Sequence, residues 1–279
     1  MNTFDPPAAA VRRAVEGALA EDLGILGDIT SLACVDEDQQ AEAVFVARAA
    51  GVLAGSALAT ETFRQLDARV DLQWYSHDGD SIAAGARIAR VAGPLRTILT
   101  GERTALNFLC HCSGIATTTH QYVMAAHGKV RILDTRKTLP GLRAIQRAAV
   151  RAGGGFNHRD SLSDAVLIKD NHVAATGIAK SIERARAAWP GRTIEVECDA
   201  LDQVVEAREA AADRVLVDNM TPAQVREAVA LLEGAVEVEV SGGVILETVA
   251  AYAESGADFV SVGALTHSVP VFDIGLDML

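Results

Sequence analysis

The sequence predicts an α/β protein in which a parallel α/β barrel, or part of one, follows a segment of helices and short strands. From residue 130 onward, short runs of Val, Ile and Leu alternate with helical segments. Strands that are apolar on both faces and are joined by helices are typical of parallel βα units. About six such units in succession favour a barrel or a partial barrel over a sandwich.

The first 130 residues show a different pattern, in which amphipathic helices frame short strands. Val11, Val15 and Leu19 recur at helical spacing, and a segment with two glycines follows them. Alternating apolar residues and glycine turns then indicate strands. The expected elements are a helix over 7–20, a loop over 21–31, strands within 41–55, a helix over 56–67 and strands within 70–92.

Pro94 opens a long helical region that extends to about residue 128. We expect Gly101 and Gly114 to bend or break this helix. Judged from the local sequence alone, Arg103 is expected to be an ordinary exposed arginine on the helix. Beyond it, the predicted strands are 131–134, 164–170, 193–199, 213–219, 236–243 and 258–265, and the predicted helices include 174–188, 200–211, 221–232 and 244–255.

Composition excludes several classes of protein. The 279 residues carry a formal net charge of −12, which argues against nucleic acid as the general partner. The N-terminus lacks the pattern of a signal peptide, and no apolar run reaches the roughly 20 residues of a membrane span, so we expect a soluble cytoplasmic protein. The spacing of the cysteines fits neither a disulfide framework nor a paired zinc site; they are Cys34, Cys110, Cys112 and Cys198.

Residues 131–169 form a basic segment in this acidic chain. Eight Lys and Arg against three Asp give +5, which leaves −17 for the remainder of the −12 total. Such a segment indicates an anion site. Three of its arginines recur every four residues and are interpreted as a solvated helix face: Arg143, Arg147 and Arg151. Five further side chains lie at strand ends or after a triple glycine and form the predicted anion site: Arg136, Lys137, His158, Arg159 and Lys169.

Acidic side chains and glycine-rich turns also follow predicted strands. Glu197 and Asp218 end neighbouring strands, where their carboxylates could hold Mg²⁺ or stabilise a developing positive charge. The structural alternative is a pair of barrel carboxylates neutralised by Lys or Arg. The turns after the last two strands offer backbone N–H groups to a phosphate, or are simple helix entries; they contain Ser241, Gly242, Gly243 and Gly263.

A series of short motifs spans residues 21–268 in a fixed order: EDLGILGDIT, LTGERTALNF, SGIAT, LDTRKTLPGLR, GGGFNHR, LSDAVLIKDNH, IEVEC, VLVDN, EVSGGV and FVSVGALTHS. In this combination they resemble the quinolinate phosphoribosyltransferase family, also called carboxylating nicotinate-nucleotide pyrophosphorylases. The resemblance implies the reaction of quinolinate with phosphoribosyl pyrophosphate and Mg²⁺ to nicotinate mononucleotide, pyrophosphate and CO₂.

The resemblance also implies an architecture: an N-terminal α/β domain over 1–115, a partly open α/β barrel over 116–268, and a tail over 269–279 that returns to the N-terminal domain. A homodimer is implied, in which Arg103 reaches the partner's site. Glu197, Asp218 and Lys137 are expected to act in catalysis, the two acids also toward Mg²⁺. The full implied substrate-binding set is Arg103, Thr135, Arg136, Lys137, His158, Arg159, Lys169, Glu197, Asp218, Ser241, Gly242, Gly243, Gly263 and His267.

The chain departs from the family pattern at two places. Asp160-Ser161-Leu162 follows the NHR motif where the family usually continues Leu-Gly-Leu, and Arg147 with Ala148 stands where the family usually carries a Lys-Tyr pair. Three alternatives stay open at this point: a paralogue associated with molybdate transport, a nicotinate phosphoribosyltransferase, and a non-catalytic module that binds phosphorylated metabolites. Facing carboxylates beside the cations argue against the last, since binding an anion gains nothing from them.

Overall fold

The structure is a computed structural model that describes residues 4–279, and its contacts divide the chain into two compact units. The first unit contains the described residues up to His120 together with Thr138–Gly154 and Ala264–Leu279. The second contains Gln121–Lys137 and Gly155–Gly263. Because the units alternate along the sequence, they differ from the contiguous limits expected at residues 115 and 268, and those domain limits stay a prediction.

Helices and strands follow one another along the whole described chain. The helices are α1 Ala8–Leu23, α2 Ile29–Cys34, α3 Ser56–Leu66, α4 Leu95–Ala125, α5 Arg143–Ala152, α6 Asp170–Thr176, α7 Ile178–Ala188, α8 Leu201–Glu209, α9 Pro222–Leu232, α10 Leu246–Ala253 and α11 Ala264–His267. The strands are β1 Gln40–Ala47, β2 Gly51–Val52, β3 Asp71–Trp74, β4 Ser81–Ile82, β5 Arg87–Pro94, β6 Arg131–Leu133, β7 Val166–Ile168, β8 Ile194–Cys198, β9 Arg214–Asp218, β10 Glu237–Ser241, β11 Phe259–Ser261 and β12 Ile274–Met278.

The first unit is built on a four-stranded antiparallel sheet in the order β12-β1-β5-β3, with a separate ribbon of β2 and β4. Phe45 in β1, Phe63 in α3 and Leu109 in α4 belong to one buried apolar cluster. Burying such large side chains contributes roughly 1.5–3 kcal/mol each, which explains why alternating apolar residues specify this layer. Strand β12 forms one edge of the sheet and pairs antiparallel with β1.

Helix α4 continues through Gly101 and Gly114, so neither glycine breaks it. A Cβ atom on Gly101 would lie 2.8 Å from the Phe63 ring, and one on Gly114 would overlap the carbonyl oxygen of Pro270. The glycines therefore permit close packing against a continuous helix.

The second unit contains a parallel six-stranded sheet in the order β6-β11-β10-β9-β8-β7. Its helices follow its strands, as predicted, and in the described chain no ladder joins β6 to β7. The arrangement is the partly open α/β barrel expected from the sequence. All of its strands run in the same direction, so their carboxyl ends lie along one edge.

Local differences from the prediction have physical causes. The expected loop over 21–31 contains the end of α1 and the start of α2, whose first amides are capped by Asp28: Oδ1 accepts from Thr30 N–H at 3.1 Å and from Ser31 N–H at 3.0 Å. The expected helix over 174–188 is two helices, because Gly177 has φ 80° and interrupts it. The cysteines are free in the part of the chain that is described. No helix among the described residues is long and apolar enough to cross a membrane.

Helix α5 carries the three evenly spaced arginines on a half-buried face of the first unit, which differs from the solvated face predicted for them. Arg143 Nε donates to Thr138 Oγ1 at 3.1 Å, and Arg151 Nη2 donates to the Phe4 carbonyl oxygen at 3.4 Å. Regular spacing shows that these residues share a side of a helix, but it does not show what packs there.

Candidate active site

A cavity of about 410 Å³ lies among residues at the carboxyl ends of the parallel strands in the second unit. Its lining includes the following predicted site residues: Thr135, Arg136, Lys137, His158, Arg159, Lys169, Glu197, Asp218 and Ser241. Leu167, Leu216, Glu239 and Ser261 also line it, and none of these four was predicted as a site residue.

Strand register explains why residues distant in sequence meet here. Ser241 is paired with Asp218, and Glu197 is paired with Leu216, two residues before Asp218. Lys169 follows Ile168, which is paired with Val196. Polar side chains at the ends of successive strands therefore form one rim. We call six of them the mouth charges: Arg136, Lys137, Arg159, Lys169, Glu197 and Asp218.

The two acidic mouth charges already have partners. Lys169 Nζ forms an ion pair with Glu197 Oε2, and their side chains are 47% and 11% exposed. Asp218 Oδ2 accepts from Asn219 Nδ2 at 2.6 Å. Neutralisation of Glu197 by a lysine is the structural alternative considered from the sequence. Because the pair is open to solvent on the lysine side, an anion that binds Lys169 could replace Glu197 at modest cost.

Arg136 and Arg159 place two positive charges near each other at the mouth. Burial, followed by repulsion from Arg136, lowers the pKa of the Arg159 guanidinium. Nε of Arg136 is buried and has no hydrogen-bond partner among the described residues, whereas Arg159 Nη1 donates to the Ala165 carbonyl oxygen at 3.2 Å. A bound carboxylate would relieve the repulsion and accept hydrogen bonds in a fork, so this corner fits an anionic ligand.

His158 lies behind the mouth, and its ring contacts two buried carboxylates. Its Nε2 atom is 3.0 Å from Glu195 Oε2 and 3.3 Å from Glu239 Oε2, and the side chains of these acids are only 4% and 0% exposed. Arg214 Nη1 is 3.3 Å from Glu239 Oε2. We call His158, Glu195, Glu239 and Arg214 the interior cluster. Burial opposes a charge on His158, but hydrogen bonds and attraction from both acids outweigh it and raise the pKa of the imidazole to about 10.

The hydrogen bonds of His158 limit where the proton of the interior cluster can reside. Nδ1 of His158 accepts from the Arg159 backbone N–H at 2.6 Å, so a hydrogen on Nδ1 would displace this contact. The Nε2 hydrogen then faces the two carboxylates. Burial and the neighbouring charge of Glu239 raise the pKa of Glu195, so this acid and the imidazole share the proton of the interior cluster.

The loop that carries His158 is fixed to the end of β6 by a buried acid. Asp134 Oδ1 accepts from the His158 backbone N–H at 2.8 Å, and Asp134 Oδ2 accepts from Asn157 Nδ2 at 2.6 Å. Phe156 forms a bridge with Leu133. Beside β6, Lys137 N–H donates to Thr135 Oγ1 at 3.1 Å. These contacts explain how residues 23 and 24 positions apart hold one rim.

Of the predicted phosphate-loop residues, Ser241 lines the cavity, whereas Gly242, Gly243 and Gly263 lie at strand ends outside its lining. Gly242 has φ 90° and Gly243 has φ 61°, and a Cβ atom on Gly242 would overlap the Asn219 side chain. Gly263 precedes α11. The predicted residues Arg103 and His267 belong to the first unit, where both are exposed, and His267 Nδ1 is 2.6 Å from Ser268 Oγ.

Glu239 is the site-lining acid that sequence reasoning missed. It alternates with valines in β10, as Glu195 does with apolar residues in β8. This alternation was the available signal, because residues two apart in a barrel strand share the inner face.

Comparison with known proteins adds two matches to domain families. Residues 28–113 match the family described as quinolinate phosphoribosyl transferase, N-terminal domain, and residues 115–277 match its C-terminal domain. The nicotinate-nucleotide pyrophosphorylase [carboxylating] of Mycobacterium leprae is 44% identical over 278 residues, which cover 96% of this chain and 97% of that protein.

Solved structures with similar sequences also have this fold. The nicotinate-nucleotide pyrophosphorylase from Francisella tularensis superposes with a TM-score of 0.95 at 40% identity and covers 100% of both chains. NadC from Streptococcus pyogenes superposes with a TM-score of 0.94 at 39% identity and covers 99% of both chains.

Proposed function

Because the chain belongs to the quinolinate phosphoribosyltransferase family, we propose that it transfers the phosphoribosyl group of phosphoribosyl pyrophosphate to quinolinate with loss of CO₂. The products are nicotinate mononucleotide and pyrophosphate, which places the enzyme in NAD biosynthesis. The observation that carries this proposal is the rim itself, where four cationic side chains surround a cavity that also presents the carboxylates of Glu197 and Asp218 at its mouth. Such a site suits a substrate with two negative groups and a reaction that develops positive charge.

The cationic mouth charges bind the two anionic substrates. Arg136, Arg159 and Lys169 hold the carboxylates of quinolinate, since guanidinium groups match carboxylates in a bidentate fork. Lys137 and Thr135 bind the diphosphate. The loops at Ser241 to Gly243 and at Gly263 bind the 5′-phosphate through backbone amides and the serine hydroxyl.

The acidic mouth charges assist the chemical steps. The pyridine nitrogen attacks C1 of the ribose as pyrophosphate leaves, and Glu197 and Asp218 stabilise the positive charge that develops on the sugar. The ring nitrogen is then positive. The bond from the ring to the adjacent carboxylate breaks with its electron pair on the ring, CO₂ leaves, and a proton from solvent takes the vacated position. No enzyme nucleophile takes part, so catalysis comes from positioning and electrostatics.

Glu197 and Asp218 also fit Mg²⁺. Mg²⁺ prefers oxygen ligands and is usually held by one or two carboxylates together with substrate phosphates. When bound, the ion would neutralise charge on the diphosphate and so make it a better leaving group. The two acids would orient the ion toward the diphosphate bound by Lys137.

We further propose a homodimer in which the exposed Arg103 completes the partner's site. Arg103 is exposed on α4, and the GERT motif that contains it is one of the motifs that carry the family resemblance. The cytoplasmic location expected from the sequence stays a prediction.

One assay tests the proposed function. Purified protein with Mg²⁺, quinolinate and phosphoribosyl pyrophosphate should release CO₂ and pyrophosphate in equal amounts, and chelation of Mg²⁺ should stop both. Nicotinate in place of quinolinate is the control, because it has one carboxylate and cannot lose the adjacent one. If no product depends on quinolinate, or if nicotinate serves equally well, the proposal is wrong.

A further inference from the structure

The interior cluster contacts the mouth through a single histidine. Nε2 of His158 is within hydrogen-bond distance of Glu195 and Glu239, and its Nδ1 atom accepts from the Arg159 backbone N–H at 2.6 Å. A neutral imidazole with its hydrogen on Nε2 satisfies both sides at once. The ring therefore connects two carboxylates in the barrel to a backbone amide at the mouth.

The two acids behind His158, Glu195 and Glu239, both contact its ring. Glu239 Oε2 lies 3.3 Å from His158 Nε2 and accepts from Arg214 Nη1 at 3.3 Å, and its side chain is fully buried. Glu195 is buried to 4% side-chain exposure. Carboxylates in such positions are costly unless each has a fixed partner. Glu239 lies at the wall of the cavity, but its side chain is 0% exposed, so both acids act mainly on the ring that they contact.

We propose that His158, Glu195 and Glu239 are positioning residues. The two carboxylates fix the Nε2 side of the ring, and Nδ1 fixes the backbone amide of Arg159. The Arg159 guanidinium is thereby oriented toward the dicarboxylate substrate. The inference rests on the proposed function only for the identity of that ligand. It assigns His158 a different role from the substrate-binding role implied by the family resemblance.

Two other roles for the cluster are less consistent with the geometry. A substrate ligand needs a free donor, but both nitrogens of His158 are engaged and its side chain is only 10% exposed. The three residues could also hold a metal ion, since their ligand atoms lie within 4.8 Å of one another. Arg214 already neutralises Glu239, and a second cation beside that guanidinium would be repelled.

Paired substitutions of His158 separate its two nitrogens. In His158→Asn the amide oxygen can take the place of Nδ1, whereas in His158→Gln the amide group reaches the place of Nε2 and the acceptor for Arg159 is lost. Hydrogen exchange of the Arg159 amide is measured by NMR in the ligand-free protein. We expect His158→Asn to stay near wild type and His158→Gln to exchange about tenfold faster, as expected for loss of one hydrogen bond. His77→Gln, at an exposed histidine of the first unit, is the matched control.

Steady-state kinetics then test whether the effect passes through Arg159. His158→Gln should raise the KM for quinolinate about tenfold with little change in kcat, whereas His158→Asn should rescue most of this loss. In an Arg159→Ala background, His158→Gln should change the KM by less than about twofold, because residues that act through one another are not additive. Glu239→Gln keeps the shape of the side chain and should reproduce part of the His158→Gln effect.

Several results would overturn the inference. They are equal losses in the Asn and Gln variants, full additivity with Arg159→Ala, an Arg159 amide that is indifferent to His158, or a stoichiometric divalent ion that Glu239→Gln releases. The exchange measurement needs no substrate. A wild-type enzyme inactive toward quinolinate would therefore refute the proposed function and leave the positioning role to be decided by exchange alone.

Discussion

The mouth charges and the interior cluster lie in the same unit, but they differ in exposure and in charge balance. In the interior cluster two glutamates face one arginine and one histidine, and the glutamate side chains are 4% and 0% exposed. At the mouth four cations face two carboxylates, and the Lys169 side chain is 47% exposed. One set is balanced and closed, and the other has an excess of positive charge open to solvent.

This difference separates structural charge from functional charge. A buried charge loses hydration that only its fixed partners replace, so each member of the interior cluster is needed for the stability of the others. The Lys169–Glu197 pair is open to solvent on its lysine side, so it contributes less to stability than a buried pair and Lys169 can exchange its partner for a ligand. We therefore expect substitutions at the mouth to affect activity with little loss of stability, whereas substitutions in the interior should reduce stability in addition to any effect on the position of Arg159.

The largest effect is expected for Arg136→Ala at the mouth. Its buried Nε lacks a hydrogen-bond partner among the described residues, so a substrate carboxylate is the natural acceptor. Loss of a desolvated charge contact costs about 2–5 kcal/mol, which corresponds to a decrease in kcat/KM of about a thousandfold. Steady-state kinetics with varied quinolinate measure it. Arg226→Ala, at an exposed arginine of α9, is the control, and near-normal affinity in Arg136→Ala would contradict the assigned role.

Removing an interior acid tests the other half of the comparison. Glu239→Ala leaves Arg214 and His158 buried beside an empty position, and breaking a buried pair in this way costs about 3–5 kcal/mol of unfolding free energy. Urea denaturation followed by circular dichroism measures it. Glu237→Ala is the matched control, because Glu237 also pairs with Arg214, at 2.8 Å, but is about half exposed. If both variants lose the same stability, burial does not distinguish the two sets.

The acidic mouth charges should affect turnover more than affinity. Asp218→Asn keeps the shape of the side chain and its contact with Asn219, but it removes the negative charge that we assign to the developing sugar cation and to Mg²⁺. We expect kcat to fall about a hundredfold, the scale typical of losing one electrostatic group in an active site, while the KM for quinolinate stays within about threefold. Asp202→Asn, at an exposed acid of α8, should behave as wild type. A loss confined to KM would move Asp218 into substrate binding.

The two sets of charges also differ in how far the sequence could predict them. Most mouth charges end a predicted strand or follow one within three residues, and Arg159 follows a glycine-rich loop; parallel strands bring such strand ends to one edge. Glu239 could not be assigned in the same way, because it lies within a run of alternating Val and Glu that equally describes a strand with one solvated face. The direction of the His158 ring depends on Glu195 and Glu239, which lie 37 and 81 residues away (195 − 158 and 239 − 158).

The fold shows the same limit. The long helix α4 and the parallel strands were predictable because their apolar periodicity extends over many residues or repeats many times. Helix α2 has six residues, too few to display a period, and depends on the cap at Asp28. The return of the tail was expected from the family resemblance, but the strand conformation of β12 depends on pairing with β1, more than 200 residues earlier, as in the pair Ala47 and Ile274 (274 − 47 = 227).

The smallest effect is expected for the stability of Lys169→Ala. Although this variant should bind quinolinate poorly, its unfolding free energy should change by less than about 1 kcal/mol, because an exposed pair gains little from Coulomb attraction in water. Urea denaturation at low and high salt provides the measurement, since salt should remove what little the pair contributes. Lys129→Ala, which breaks an ion pair with Glu254 at 3.1 Å and about half exposure, is the control. A loss of unfolding free energy as large as that of Glu239→Ala would mean that the mouth charges are also needed for the stability of the barrel.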